Sequence, residues 1–319
     1  MEQLDYPSEH FSLHLLGPGV YAAIDDPDGA AYCNAGIIDL GDRTVVVDSF
    51  ETIAAAEDLK AAAQMLTGQP ASIVILTHEH GDHWYGNQVF SPPVMIISAA
   101  SARQAMQVWL DEEVEEIRNK PSEFIPMLEE CRANAASAAS EELRVIWERR
   151  ALRLQRGMQQ APDLYPRLPD QTFEKEMKLL GTERSIEVIN YGHAHSHGDV
   201  CVFVPDVNAA FIGDLGFFGR HPYLLNSIPQ NWVEVLQTLD GLPFEIFVPG
   251  HGPIGGKEAI RDLRSYMQTL IQFCSDAKDA GKPLQEILEM SYPESLYRGP
   301  ESDEYIMESV KFLIETGSQ

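Results

Sequence analysis

Between residues 78 and 83 the chain reads His78-Glu-His80-Gly81-Asp82-His83, three imidazoles and a carboxylate directly after the apolar run Ile73-Val-Ile-Leu76. In an extended segment, residues two apart point the same way, so His78 and His80 can share one cation. Asp82 and His83 lie past Gly81, where the backbone turns at little steric cost, and the spacing therefore suits two neighbouring metals. Imidazole nitrogen with carboxylate oxygen and no thiolate matches zinc, and equally iron or manganese. A solvated polar loop or an ordinary helix start is the bland alternative, but such segments seldom gather three histidines.

Three further β-rich runs lead into residues of the same kind. Residues 186–191 run into Gly192-His193-Ala-His195-Ser-His197-Gly-Asp199, 209–212 into Gly213-Asp214, and 245–248 into Pro249-Gly250-His251. In α/β sheets ligands bind beyond the strand C-termini, so four such turns can converge on one rim. Asp48 also ends a β-favouring run and is expected to accept the second N–H of a ligating histidine, although a turn aspartate would look the same.

The elements that must position these residues are legible in outline. Runs 20–24, 32–40 and 44–48 are divided by Asp-Asp-Pro-Asp-Gly and Gly-Asp, which predicts an antiparallel start. The Ala-rich stretch 52–66 has helical spacing and stops at Gly68 and Pro70; the strand before the metal turn follows at once, giving a β-α-β order and a layered α/β fold. After a strand over 94–98, residues 102–160 are rich in Glu, Arg, Ala, Leu and Met. Three helices are predicted there, with breaks at Lys120-Pro121 and over 134–140 and a Ser140 cap on the last. Strand signals resume at Phe173, so 101–165 reads as a helical insertion, a lid or a homodimer contact, within one domain over 1–319. Its Met106, Trp109, Leu110, Met127, Leu128 and Trp147 form stripes of the kind used for packing more often than for substrate readout.

The 319 residues are 44% apolar, enough for a substantial core. The formal charge of −26, from 49 acidic and 23 basic residues, would repel phosphate backbones and anionic lipid, so nucleic acid and membranes are not expected partners and a small-molecule substrate is. Cys33, Cys131, Cys201 and Cys274 are scattered with no C-x-x-C pair and read as reduced structural thiols. The N-terminal Met1-Glu-Gln-Leu-Asp-Tyr6 has no basic segment followed by an apolar one, and no run of about 18 apolar residues occurs elsewhere, so cytoplasmic residence is the expectation.

With H-x-H-x-D-H at 78–83, A-H-S-H-G-D at 194–199, F-I-G-D-L at 211–215 and V-P-G-H-G at 248–252, in that order, the chain resembles the metallo-β-lactamase-fold superfamily of hydrolases over roughly residues 21–256, the helical block apart. The resemblance implies a four-layer αβ/βα sandwich with a dimetal site at one edge between the sheets. It implies His78, His80 and His195 on one metal, Asp82, His83 and His251 on the other, and Asp214 bridging. The pattern H-[ST]-x-G-D selects His195 over His193 and His197, which would support the ligands from behind, as Asp48 would.

Two cations a few ångströms apart lower the pKa of a water they share, so that a bridging hydroxide can attack a carbonyl while Asp82 orients the water or shuttles its proton. This suits ester, thioester, lactone or amide hydrolysis by a dizinc enzyme, with iron or manganese as alternative metals. A carboxylate at Asp214, where the zinc β-lactamases that resemble this chain carry a thiol or hydroxyl, is similar to glyoxalase II and the lactonases and disfavours a β-lactamase. His80, in place of the Glu of flavodiiron proteins, disfavours oxygen reduction, and the acidic charge disfavours the RNA-processing branch. Phe217, Phe218, Arg220, His221 and Tyr223 follow Asp214 and are expected to wall the substrate pocket. Arg220 would pair with a substrate carboxylate or else in a surface ion pair, and His221 would sit exposed in a loop near the cleft. Two other readings stand beside the hydrolase. One is a mononuclear iron oxidoreductase similar to the persulfide dioxygenases, which would not need His251; the other is a binding protein with a vestigial site, which would be expected to have lost a ligand.

Overall fold

In the computed structural model, which describes residues 1–316, the strands form two sheets, with the central strands of each buried along nearly their whole length. The first runs β1 (Glu2–Leu4), β2 (Phe11–Gly17), β3 (Val20–Asp25), β4 (Ala35–Asp39), β5 (Thr44–Val47), β6 (Ala71–Ile75), β7 (Met95–Ala99) and β8 (Gln171–Phe173) in unbroken order. It is antiparallel from β1 to β5 and parallel from β5 to β8. The second holds β9 (Glu176–Leu180), β10 (Ser185–Asn190), β11 (Val200–Val204), β12 (Ala209–Phe217) and β13 (Ile246–His251); β13 pairs parallel with β12, and the other pairs are antiparallel. The helices are α1 (Ile53–Thr67), α2 (Gly81–Trp84), α3 (Ala100–Trp109), α4 (Glu115–Asn119), α5 (Ile125–Ser137), α6 (Glu141–Gln160), α7 (Pro229–Gly241), α8 (Lys257–Asp279), α9 (Leu284–Leu288) and α10 (Ser302–Thr316).

The period of two in the second sheet makes the sandwich. Val200, Val202, Val204, Ala209 and Phe211 turn into a core shared with the first sheet and with Ala55, Leu59 and Ala62 of α1. Their neighbours Cys201, Phe203, Ala210 and Ile212 turn into a second core with α7, α8 and α10. Each fully buried Val, Leu or Phe contributes roughly 1.5–3 kcal/mol, so the two cores fix the register of β11 and β12, since a one-residue slip would exchange the faces that fill them. This is the αβ/βα layering expected from the sequence.

Local chemistry sets the helix ends. The Thr52 side chain accepts from the Ala55 amide at 3.3 Å and Gly68, at φ 74°, closes α1. Ser140 accepts from the Leu143 amide at 3.2 Å and starts α6. A π turn over 110–114 joins α3 to α4, so the block between β7 and β8 does form three rods, broken at Lys120 and after Ser137. Because β7 and β8 are parallel neighbours, these helices are the crossover between adjacent strands. The α5–α6 pair has a small core of its own, Leu128, Cys131 and Ala151 with Trp147 and Leu154. It is fastened to the body by arginines: Arg149 to Asp28 at 2.8 Å, Arg150 to Glu304 at 2.8 Å, and Arg156 to the Gly29 carbonyl and, at 3.1 Å, the Tyr32 hydroxyl. All four cysteines are free and buried. Among the described residues no helix is long and apolar enough to cross a membrane.

Candidate metal centre

Strand ends deliver the seven ligand candidates to one edge of the sandwich. His78 and His80 follow β6, and His80 precedes the short helix α2 that carries Asp82 and His83. His195 lies in the loop between β10 and β11, Asp214 lies within β12, and His251 ends β13. The sequence predicts that the strand before Asp214 ends at Ile212. Instead β12 continues to Phe217 through register shifts at Gly213, whose φ of 50° re-aims Asp214 as a bulge does. Asn34 ties the first sheet to the His251 turn: its amide donates to the Gly250 carbonyl at 2.8 Å, and its side-chain nitrogen to those of Pro249 at 2.9 Å and Gly252 at 2.8 Å.

The donor atoms fall into two adjoining groups. His78, His80, His195 and Asp214 each offer one atom within 4.8 Å of the others, and so do Asp82, His83 and His251. His80 Nδ1 lies 3.1 Å from His78 Nε2 and 2.8 Å from His195 Nε2. The second His78 nitrogen faces the Thr77 hydroxyl at 3.0 Å. Three imidazole nitrogens that close cannot all be satisfied by protons between them, whereas one cation can meet all three lone pairs. Asp214 joins the groups. Its Oδ1 is 3.1 Å from His83 Nε2, and its Oδ2 is 3.6, 3.3 and 3.3 Å from the Nε2 atoms of His78, His195 and His251. Buried His83 Nε2 and Asp214 Oδ1 have no hydrogen-bond partner, as expected of atoms shaped to ligate. Burial, and then the neighbouring His195, lowers the His80 pKa to about 4, and burial, and then His83, carries His78 well below its usual value. Both rings are therefore neutral near pH 7, the state in which imidazole ligates. A pair of metal ions fits these residues.

The residues 28–251 match the model of the metallo-beta-lactamase superfamily. The chain belongs to that superfamily. Among solved structures, the metallo-beta-lactamase of Erythrobacter litoralis superposes with a TM-score of 0.55 at 14% identity, covering 83% of this chain and 99% of that one. A metallo-beta-lactamase from Pontibacter korlensis gives 0.53 at 16%, covering 84% and 98%. Identities this low carry the fold alone. Comparison with curated protein sequences gives no match.

Within this superfamily fold, Asp48 lies behind His83, one of the ligand candidates. Its Oδ2 accepts from His83 Nδ1 at 2.7 Å and from the Thr77 hydroxyl at 2.8 Å, while Oδ1 accepts from the Thr77 amide at 2.7 Å. His193 and His197 do not back the ligands. They stack on each other with centroids 4.9 Å apart; His193 Nε2 meets the Asn226 carbonyl at 2.6 Å and His197 Nδ1 meets Glu79 at 2.6 Å. The loop is instead fixed by Asp199, which takes hydrogen bonds from the amides of Ala194, His195 and Ser196.

The expected pocket wall divides. Phe217 stacks on His251 at 4.9 Å, and Tyr223, 46% exposed, stands edge-on to His80 at 5.7 Å. Arg220 is exposed, with no carboxylate in ion-pair range among the described residues. Phe218 is buried in the second core. His221, expected in an exposed loop, is buried: it hydrogen-bonds Tyr266 and Ser302, both at 2.9 Å, and stacks on Tyr305. The apolar side of α8 and α10 draws the ring in, which a loop composition does not reveal. From the crossover helices Trp109 reaches His80, with ring centroids 5.7 Å apart, and Arg153 reaches Asp82 and Glu51. Neither Arg153 nor Glu51 was marked by the sequence; the only signal is that Arg149, Arg153 and Arg156 share a helix face.

Proposed function

We propose that the protein is a two-metal hydrolase that cleaves a small ester, thioester or lactone, with zinc as its metal. The observation that carries this reading is the Asp214 carboxylate, which faces ligands of both groups, Oδ1 toward His83 and Oδ2 toward His78, His195 and His251. His78, His80 and His195 would hold one ion and Asp82, His83 and His251 the other, with Asp214 between. When bound there, the ions would lower the pKa of a shared water and polarise the substrate carbonyl.

The chain's own side chains supply the rest. Burial raises the Asp82 pKa, but the charges of His83, Arg153 and His251 outweigh it and hold the carboxyl below its usual value, so Asp82 is an ionised acceptor able to orient a water and pass on its proton. Burial raises the Tyr223 pKa, so that phenol remains a hydrogen-bond donor beside His80, where charge develops on the attacked oxygen. Trp109 and Tyr223 would flank the acyl group, and exposed Arg220 would take a carboxylate if the substrate carries one. With Trp109 and Arg153 at the ligands, the crossover helices serve as a lid in this reading.

A bridging carboxylate supports the glyoxalase II and lactonase side of the superfamily. A mononuclear iron oxidoreductase would leave His251 without a task, although its Nε2 lies 3.3 Å from Asp214. The test is hydrolysis of a short-chain thioester, a γ-lactone, an aryl ester and a β-lactam by wild type, D82A and D214A. Turnover of an acyl substrate is expected in wild type and a loss of at least about 100-fold in both variants, with circular dichroism unchanged. Near-normal turnover in either variant contradicts the mechanism, and turnover of the β-lactam alone contradicts the substrate class.

A further inference from the structure

Of the arginines on α6, Arg153 alone reaches a ligand candidate. Its guanidinium lies over the Tyr32 ring, 4.8 Å from the centroid; its Nη2 donates to Glu51 and stands 3.5 Å from Asp82 Oδ2. The same Asp82 oxygen faces His251 Nε2 at 3.5 Å. One carboxylate oxygen thus sits between a metal-ligand candidate of the body and a cation of the crossover helices.

The surroundings of Arg153 are fixed. Tyr32 is held by its amide, which donates to Asp25 at 2.9 Å, and by its hydroxyl, which receives Arg156. The backbone of Glu51 donates to the Ala31 carbonyl at 3.1 Å and accepts from Gln160 at 3.3 Å. The Glu51 and Asp82 side chains are only 13% and 14% exposed. The Arg153 side chain is itself 46% exposed, and an ion pair open to water on both sides would carry little weight; here the guanidinium lies on an aromatic face, and both carboxylates that it meets are shielded from water.

We propose that Arg153 is a positioning residue: it fixes the rotamer of Asp82 so that its oxygen faces the His83 and His251 side of the centre, and the crossover helices thereby complete the second half of the metal site. This rests on the two-metal reading above. A carboxylate free to rotate loses that freedom when it ligates, whereas one held in place beforehand does not. Glu51 balances the guanidinium, so that Asp82 gains a donor without a bare cation opposing the incoming metal. Lysine would keep the charge but lose the planar guanidinium that lies on the Tyr32 ring with its Nη2 between the two carboxylates.

The experiment measures zinc affinity by chelator competition, and the visible absorption of the cobalt(II)-substituted protein, in wild type, R153A, R153K and R149A. Arg149 holds the same helix to Asp28 at 2.8 Å and appears in no ligand contact, so R149A reports loosened docking alone. Two ions are expected in wild type and in R149A. R153A should keep one site and bind the second about tenfold or more weakly, with an altered cobalt spectrum at that site only, and R153K should recover part of the loss. If the alanine variant does not fold, R153K carries the same test with a smaller weakening. Unchanged second-site affinity in the Arg153 variants overturns the proposal, and so does an equal loss in R149A, which would assign the effect to docking. A wild type that binds a single ion would defeat the two-metal reading itself, an outcome distinct from both.

Discussion

Of the four imidazoles around Asp214, His83 meets it at 3.1 Å and is held from behind by Asp48. Asp48 is itself buried, at a positive φ of 60° that a non-glycine residue adopts at a cost, and three hydrogen bonds to Thr77 and His83 hold it there. Because its carboxylate accepts from His83 Nδ1, Asp48 favours the proton on that nitrogen, so that Nε2 is the atom that would ligate once a metal displaces its own proton. Asn at this position would turn an amide N–H toward at least one of its three donors, the Thr77 amide, the Thr77 hydroxyl and His83 Nδ1. D48N is therefore expected to weaken metal binding at the His83 side by about 10–100-fold, read by zinc competition; an unchanged affinity would remove Asp48 from the centre. Sequence reveals Asp48 because it ends a strand in line with the ligand turns. It misplaces His193 and His197, since alternation brings them near the ligand loop without saying that their partners are Asn226 and Glu79.

The strands and turns that aim these residues leave little room. Gly250, just before His251, has no side chain because a Cβ there would fall on the Asp214 carboxylate. G250A changes no ligand, yet it should displace Asp214, reduce the metal content below two per chain and cut turnover by about 100-fold, since misplacement by an ångström costs that much. Wild-type metal content in G250A would show that Asp214 does not occupy the shared position. The elements with chemical punctuation are legible in sequence: α1 between Thr52 and Gly68, α6 from Ser140, the break at Pro121. The continuation of β12 through Gly213 is not, because a glycine inside a strand reads as its end. Nor is the docking of α6 legible: the arginine face is visible, but Asp28 and Glu51 lie more than a hundred residues away.

At the scale of the whole molecule, His221 joins the loop after β12 to α8 through Tyr266 and to α10 through Ser302, partners 45 and 81 residues further along the chain. That distance is why its loop context suggests exposure. Burial, and then the charge of Arg298, lowers its pKa to about 4, against about 6.5 for an unperturbed histidine. Between those values the unfolded chain binds the extra proton, so the stability that neutral His221 contributes is complete above about pH 6.5 and is lost as pH falls toward 4. The Tm of metal-free wild type should fall more steeply from pH 7 to pH 5 than that of H221Q; parallel slopes would contradict this. The αβ/βα sandwich places the ligand candidates of both halves at one edge, and the central claim is that they hold two ions. Elemental mass spectrometry of protein purified without added metal or chelator tests it most directly. The expected result is close to two zinc ions per chain; about one iron per chain with little zinc would contradict the two-metal hydrolase and favour a mononuclear iron oxidoreductase.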